Sequence, residues 1–171
     1  MKKIIFIALS MLTIIALDQF SKHLVLRQIM DTVPAFTSSA GEITEHTRLL
    51  ASPLPFFNLV LTMNKGVSFS MFYSHASYAP YVLMVLALVI MLGVLYFAID
   101  TKNYAERYFL CLVLAGAIGN FIDRVRFKGV VDFLDFHWFN SYHFPAFNVA
   151  DSAITIGAIL YITYGLFFGK K

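Results

Sequence analysis

Charge is what this chain has least of. Asp, Glu, Lys and Arg make up only 13% of its 171 residues, against 59% hydrophobic and 16% aromatic, with a mean hydropathy of +0.73. That balance excludes an ordinary soluble domain and points to a membrane protein. Cysteine is nearly absent as well. Cys111 stands alone inside an apolar run, so no disulfide can form within the chain, and its thiol reads as packing. There is no CxxC pair, no HExxH helix, no Gly-rich phosphate loop and no Gly-x-Ser-x-Gly elbow, so no metal and no cofactor is expected. Internal repeats and low-complexity tracts are missing too, which leaves a single domain over residues 1–171. The formal charge of +3 comes from basic residues gathered largely around segment ends, where they orient a chain in a bilayer; nucleic acid is not an expected partner.

What is present is apolar length. Four segments approach the ~20 residues that a hydrocarbon core requires: roughly Ile4–Leu26, Tyr81–Ile99, Tyr108–Val125 and Ser152–Phe168. The first opens on Lys2-Lys3 like a secretory leader, but no small-x-small site precedes Asp18 and the helical pattern runs on to Leu26, so an uncleaved anchor is expected. Lys2, Lys3, Lys102, Arg107, Lys170 and Lys171 crowd three short stretches, whereas other basic residues are spread over long ones. Their density places both termini and the Asp100–Arg107 turn in the cytoplasm. Segments 27–80 and 127–150 then face outward together.

The outward segment between the first two spans divides near residue 55. Thr37–Ser52 is polar and reads as a mobile surface insertion. From Phe56 to Asn64 the chain is apolar and β-favouring, bounded by Pro55 and Gly66, as a short strand would be. The expected architecture is therefore an all-α polytopic protein of four transmembrane helices, with a small extracytoplasmic β platform and a lid, Phe56–Phe72, between helices 1 and 2.

Rare polar residues in the spans follow a pattern. Asp18 and Lys22 are four apart and share a helix face, and Asn120, Asp123 and Arg124 sit together on the third span in the same way. About 15 uncharged residues precede Asp123, or ~22 Å of helix against a core of ~30 Å, which puts this cluster below the membrane surface. Asp132 and Asp151 each lie where an apolar segment meets a polar stretch. A bland reading exists for every one of them: an interhelical clamp for Asp18–Lys22, a helix–helix donor for Asn120, an N-terminal cap for Asp151. Together those readings leave unexplained why all gather at one outer edge.

Five blocks, Asp18-Gln-Phe-Ser-Lys22, Asn64-Lys-Gly-Val-Ser-Phe69, Gly116-Ala-Ile-Gly-Asn-Phe-Ile-Asp-Arg124, Gly129-Val-Val-Asp-Phe133 and Phe144-Pro-Ala-Phe-Asn-Val-Ala-Asp151, closely resemble in order and spacing the motifs of lipoprotein signal peptidase, also called signal peptidase II. Thr37–Ser52 departs from that family by its length. The resemblance implies an aspartic endopeptidase of the bacterial plasma membrane that removes signal peptides from diacylglyceryl-modified prolipoproteins, cutting before the lipid-bearing cysteine. It further implies a catalytic pair at Asp132 and Asp151, with Asp18, Lys22, Asn64, Gly66, Gly116, Asn120, Asp123, Arg124, Asn148 and Ala150 supporting the site or contacting substrate. Prolipoproteins and membrane lipids are the partners expected, and the enzyme is expected to act as a monomer.

Physical chemistry supplies its own reason for the pair. Two carboxyl groups in one low-dielectric site do not both ionise easily, so one keeps a proton while the other can deprotonate a water between them. Asp135 is the nearest rival, set aside because it should point elsewhere on an irregular loop. Ser21 and Lys22 are adjacent rather than facing, which argues against a Ser–Lys dyad, and His137 and His143 read as anchors or packing in an aromatic outer loop. A small transporter or proton-conducting protein is the alternative from another class, but it would place its charges near the midplane of broken or repeated helices. A purely structural assembly factor would tolerate Asp132→Asn and Asp151→Asn.

Overall fold

A computed structural model of the chain describes residues 2–32, 48–66, 78–138 and 142–168. In chain order the elements are α1 (Lys2–Thr32), β1 (Arg48–Leu54), β2 (Phe57–Asn64), α2 (Ala79–Asp100), α3 (Tyr104–Phe127), β3 (Val130–Trp138), β4 (Tyr142–His143) and α4 (Val149–Phe168). All four helices are long and apolar enough to cross a membrane. Their lipid-facing sides stay apolar and exposed, as with Leu12, Val85, Ile99 and Ile159. This is how a helix presents itself to hydrocarbon.

α3 is the hub. It packs against α1, α2 and α4, and small residues let its neighbours come close. A Cβ on Gly116 would strike the carbonyl oxygen of Ala150 at the start of α4, and one on Gly157 would lie 2.8 Å from the Phe109 carbonyl. At the opposite end of the bundle Asn103 caps α3 by accepting from the Ala105 amide, while its side-chain amide donates to the hydroxyl of Tyr164 on α4. The Lys3 ammonium lies 5.1 Å from the Tyr104 ring centroid, so the start of α1, the α2–α3 turn and the end of α4 share that end.

A four-stranded antiparallel sheet in the order β1-β2-β3-β4 stands at the other end. α1 climbs past the bundle beside it: Val25 is buried with Leu61, Met63, Val131 and Phe133 in one apolar cluster. Two expectations change here and one is met. Arg48–Ser52, expected within a mobile insertion, pairs with β2 in strand β1, because Leu49 and Ala51 find cross-strand partners; residues 37–47 lie outside the described residues. Phe57–Asn64 is the short strand expected there, held between β1 and β3, and residues 67–72 of the expected lid lie outside the described residues. The stretch expected as an irregular loop holds β3, in which Asp135 and His137 are buried while Phe136 and Trp138 are exposed, and it joins the small sheet expected beside the four helices.

Candidate active site

The site is assembled from the C-terminal end of α3, the N-terminal end of α4, the middle of α1, and the paired strands β2 and β3. Register sets one part of it: Thr62 opposes Asp132 and Asn64 opposes Val130. Asn64 Nδ2 thereby reaches Asp132 Oδ2 at 3.0 Å, while its Oδ1 accepts from the Gly66 amide at 2.9 Å. Asn64, expected to support the site or contact substrate, thus has its side-chain amide engaged by Asp132. Gly66 has φ +82°, a torsion that favours glycine, and a Cβ there would displace the end of the Leu83 side chain on α2.

Asp151 enters from α4. Asn148 is the residue before that helix, and its Oδ1 accepts from the Asp151 amide at 2.9 Å while Asp151 Oδ2 accepts from the Asn148 amide at 3.2 Å. This reciprocal pair is a capping box in which Asn148, rather than the expected Asp151, is the N-cap: α4 begins at Val149 and Asp151 lies in its first turn. Its other oxygen does something else: Oδ1 accepts from Asn120 Nδ2 at 2.7 Å. Asn148, fully buried, turns its own Nδ2 to Asp132 Oδ1 at 2.7 Å and to Asn120 Oδ1 at 3.2 Å. A single asparagine therefore touches both carboxyl groups.

Below them lies a buried ionic layer. Lys22 Nζ contacts Asp18 Oδ2 at 2.9 Å, Asp123 Oδ2 at 2.8 Å and Asn120 Oδ1 at 3.1 Å. Asp18 Oδ1 accepts from the Ala150 amide at 3.0 Å, and Asp123 Oδ2 from the Val131 amide at 3.2 Å. Asp18, Lys22 and Asp123 are at most 2% exposed, so each charge depends on these partners. Arg124 bonds the Asn120 carbonyl at 3.4 Å and lies near enough to Asp151, Asp132 and Asp123 for its charge to act on all three. Of the sequence-predicted residues, Gly66 shapes the end of β2 and Gly116 the contact of α3 with α4, and the others gather here.

Electrostatics separates Asp132 from an ordinary carboxylate. Burial is the main cause of a pKa pushed up to about 7, and the charge of Asp151 adds to it. The amides of Asn64 and Asn148, and the charge of Lys22, pull the other way without cancelling it. A protonated acid beside a second carboxyl group can donate to a carbonyl while its neighbour takes a proton from water.

Asp135 lies elsewhere, though not for the reason expected. It is on the same strand, and an odd offset of three residues turns it to the face opposite Asp132. There it accepts from Asn58 Nδ2 at 2.9 Å and pairs with His143 Nδ1 at 2.9 Å, while His137 is buried and stacks on His143 with ring centroids 5.1 Å apart. Sequence reasoning missed Gln19, whose Nε2 reaches Asp18, Asp123 and the Gly119 carbonyl. Its place beside Asp18, three residues before Lys22, was the available signal. Among the described residues no three His, Cys, Asp or Glu side chains converge as a metal site would.

Comparison with known proteins now bears on this geometry. A family profile described as Signal peptidase (SPase) II matches residues 10–167. A protein of Janthinobacterium sp. (strain Marseille) named lipoprotein signal peptidase is 46% identical over 63% of this chain and 65% of its own length. One of the same name from Thermodesulfovibrio yellowstonii is 37% identical over 91% of this chain and 90% of its own. A solved bacterial membrane enzyme superposes with a TM-score of 0.71 at 28% identity, covering 96% of this chain and 94% of that one.

Proposed function

The chain belongs to the signal peptidase II family, the lipoprotein signal peptidases, and on that premise we propose that Asp132 and Asp151 are the catalytic pair with which it cleaves prolipoproteins. It is a multi-pass membrane protease of a bacterial family that removes signal peptides from prolipoproteins. In the finer reading the substrate carries diacylglycerol on a cysteine and is cut just before it, at the outer face of the plasma membrane, with both termini in the cytoplasm. The single domain works as a monomer, since one copy supplies every member of the network. The observation that carries the proposal is Asn148, bonded to Asp132 through its side chain and to Asp151 through both backbone and side chain.

Protonated Asp132 donates to the scissile carbonyl while ionised Asp151 takes a proton from the attacking water; the proton then passes to the leaving amine as the tetrahedral intermediate collapses. Asn64, Asn120 and Asn148 hold the carboxyl groups in place by donating to them. A lipid-modified cysteine and an apolar signal helix reach a site at the outer ends of α3 and α4 by lateral diffusion, without leaving the bilayer. Incubating purified protein with a diacylglyceryl-modified prolipoprotein tests this directly. Asp132→Asn and Asp151→Asn should each lower release of the signal peptide by on the order of a thousand-fold. Normal cleavage by either variant would overturn the assignment, and no cleavage by folded wild type would remove the substrate.

A further inference from the structure

Each proposed catalytic aspartate is preceded by a residue whose amide is held by a buried acid. Val131, before Asp132, donates to Asp123; Ala150, before Asp151, donates to Asp18. The two acids belong to α3 and α1, so the separation of β3 from the start of α4 is tied to the separation of Asp123 from Asp18. We infer that Gln19, together with Lys22, is a crosspiece between those two acids and a positioning residue that sets the spacing of Asp132 and Asp151. This rests on the catalytic pair proposed above.

The bonding leaves Gln19 a defined task. Lys22 meets Oδ2 of both acids, and the two backbone amides take Asp18 Oδ1 and Asp123 Oδ2. Asp123 Oδ1 is met by Gln19 Nε2 at 3.0 Å, and the same nitrogen lies 3.1 Å from Asp18 Oδ2 and 3.2 Å from the Gly119 carbonyl. Two buried carboxylates with one ammonium between them would spread without a second bridge. A neutral amide supplies it without adding a charge. Gln19 Oε1 faces Arg126 at 3.5 Å, which turns the nitrogen toward the acids. Nor does any side chain of α3 hold α1 away at this level, since a Cβ on Gly119 would lie 2.6 Å from Asp18 Oδ2. None of the bonds of Gln19 reaches Asp132 or Asp151, so its effect passes through the backbone.

Spacing matters because a misplacement of about 1 Å can cost a large factor in rate. It also governs how strongly one carboxylate resists ionisation of the other. The charged groups acting on Asp132 are Asp151 on α4, Lys22 on α1 and Arg124 on α3, while β2 contributes the neutral Asn64. A wider pair weakens the effect of Asp151 first.

The test is kinetics of Gln19→Met, which keeps length and loses the bonds, beside Asp132→Asn and Asp151→Asn in the prolipoprotein assay. Expected is a fall in kcat on the order of ten-fold, KM within about two-fold of wild type, and an alkaline fall in kcat moved to lower pH by about half a unit. Gln19→Asn, an amide one methylene short, should lie between the two; if Gln19→Met does not fold, it carries the same comparison. Wild-type kcat and pH profile would overturn the inference, as would a loss that follows melting temperature with the pH profile unmoved. If Asp132→Asn and Asp151→Asn are inactive while the Gln19 variants behave as wild type, only this inference falls; if either aspartate variant cleaves normally, the catalytic pair itself falls.

Discussion

Asp132 is the residue on which pH acts most directly. Its folded pKa, about 7, stands above the ordinary 3.8, so the ionised form is the one that folding disfavours. The stability tied to its proton is complete below about pH 4 and lost as pH rises to about 7. Asp132→Asn removes that dependence: its melting temperature relative to wild type should rise between about pH 4 and 7 and then level, whatever offset the lost acceptor introduces. Activity should depend on the same proton. With saturating prolipoprotein, kcat should hold in mildly acidic solution and fall as pH passes about 7, when Asp132 ionises and can no longer donate its proton. A kcat that keeps rising to pH 9 would remove Asp132 from the role of acid.

Among the elements, α3 and its glycines decide whether the site can form. Gly119→Ala pushes a methyl group into the carboxylate of Asp18, which is fully buried and cannot retreat. It should cost about 1–3 kcal/mol of stability, read by thermal melting in detergent, and should reduce cleavage because Asp18 carries the Ala150 amide. The helices were legible from the sequence because a span is declared by continuous apolar length, and Asp18–Lys22 and Asn120–Asp123 because one helix turn brings such pairs together. Strands were less so. β1 begins in a polar stretch, and β3 carries two aspartates that disguise its alternation. Pairings such as Asn64 with Asp132, 68 residues apart, depend on sheet register, which no local pattern announces. Asp135 with His143 depends on the separate pairing of β3 with β4, and Gln19 was visible only as a neighbour of Asp18.

At the scale of the whole molecule, the chain separates its polar groups by end. Lys3, Asn103 and Tyr104 mark one end of the bundle, and the sheet with its acids, amides and Lys22 lies toward the other, with apolar helix surface between. That arrangement sets the proposed catalytic pair at the sheet end of the bundle, where α1, α3, α4 and β3 each supply part of its surroundings. Its central claim is that two carboxyl groups from β3 and α4 share a proton near neutrality. Infrared difference spectroscopy of the purified protein measures this through the carbonyl band of a protonated carboxylic acid. At about pH 6 wild type should show such a band, lost as pH rises past about 7, missing in Asp132→Asn, and vanishing at lower pH in Asp151→Asn. A wild-type spectrum at pH 6 indistinguishable from that of Asp132→Asn would contradict it.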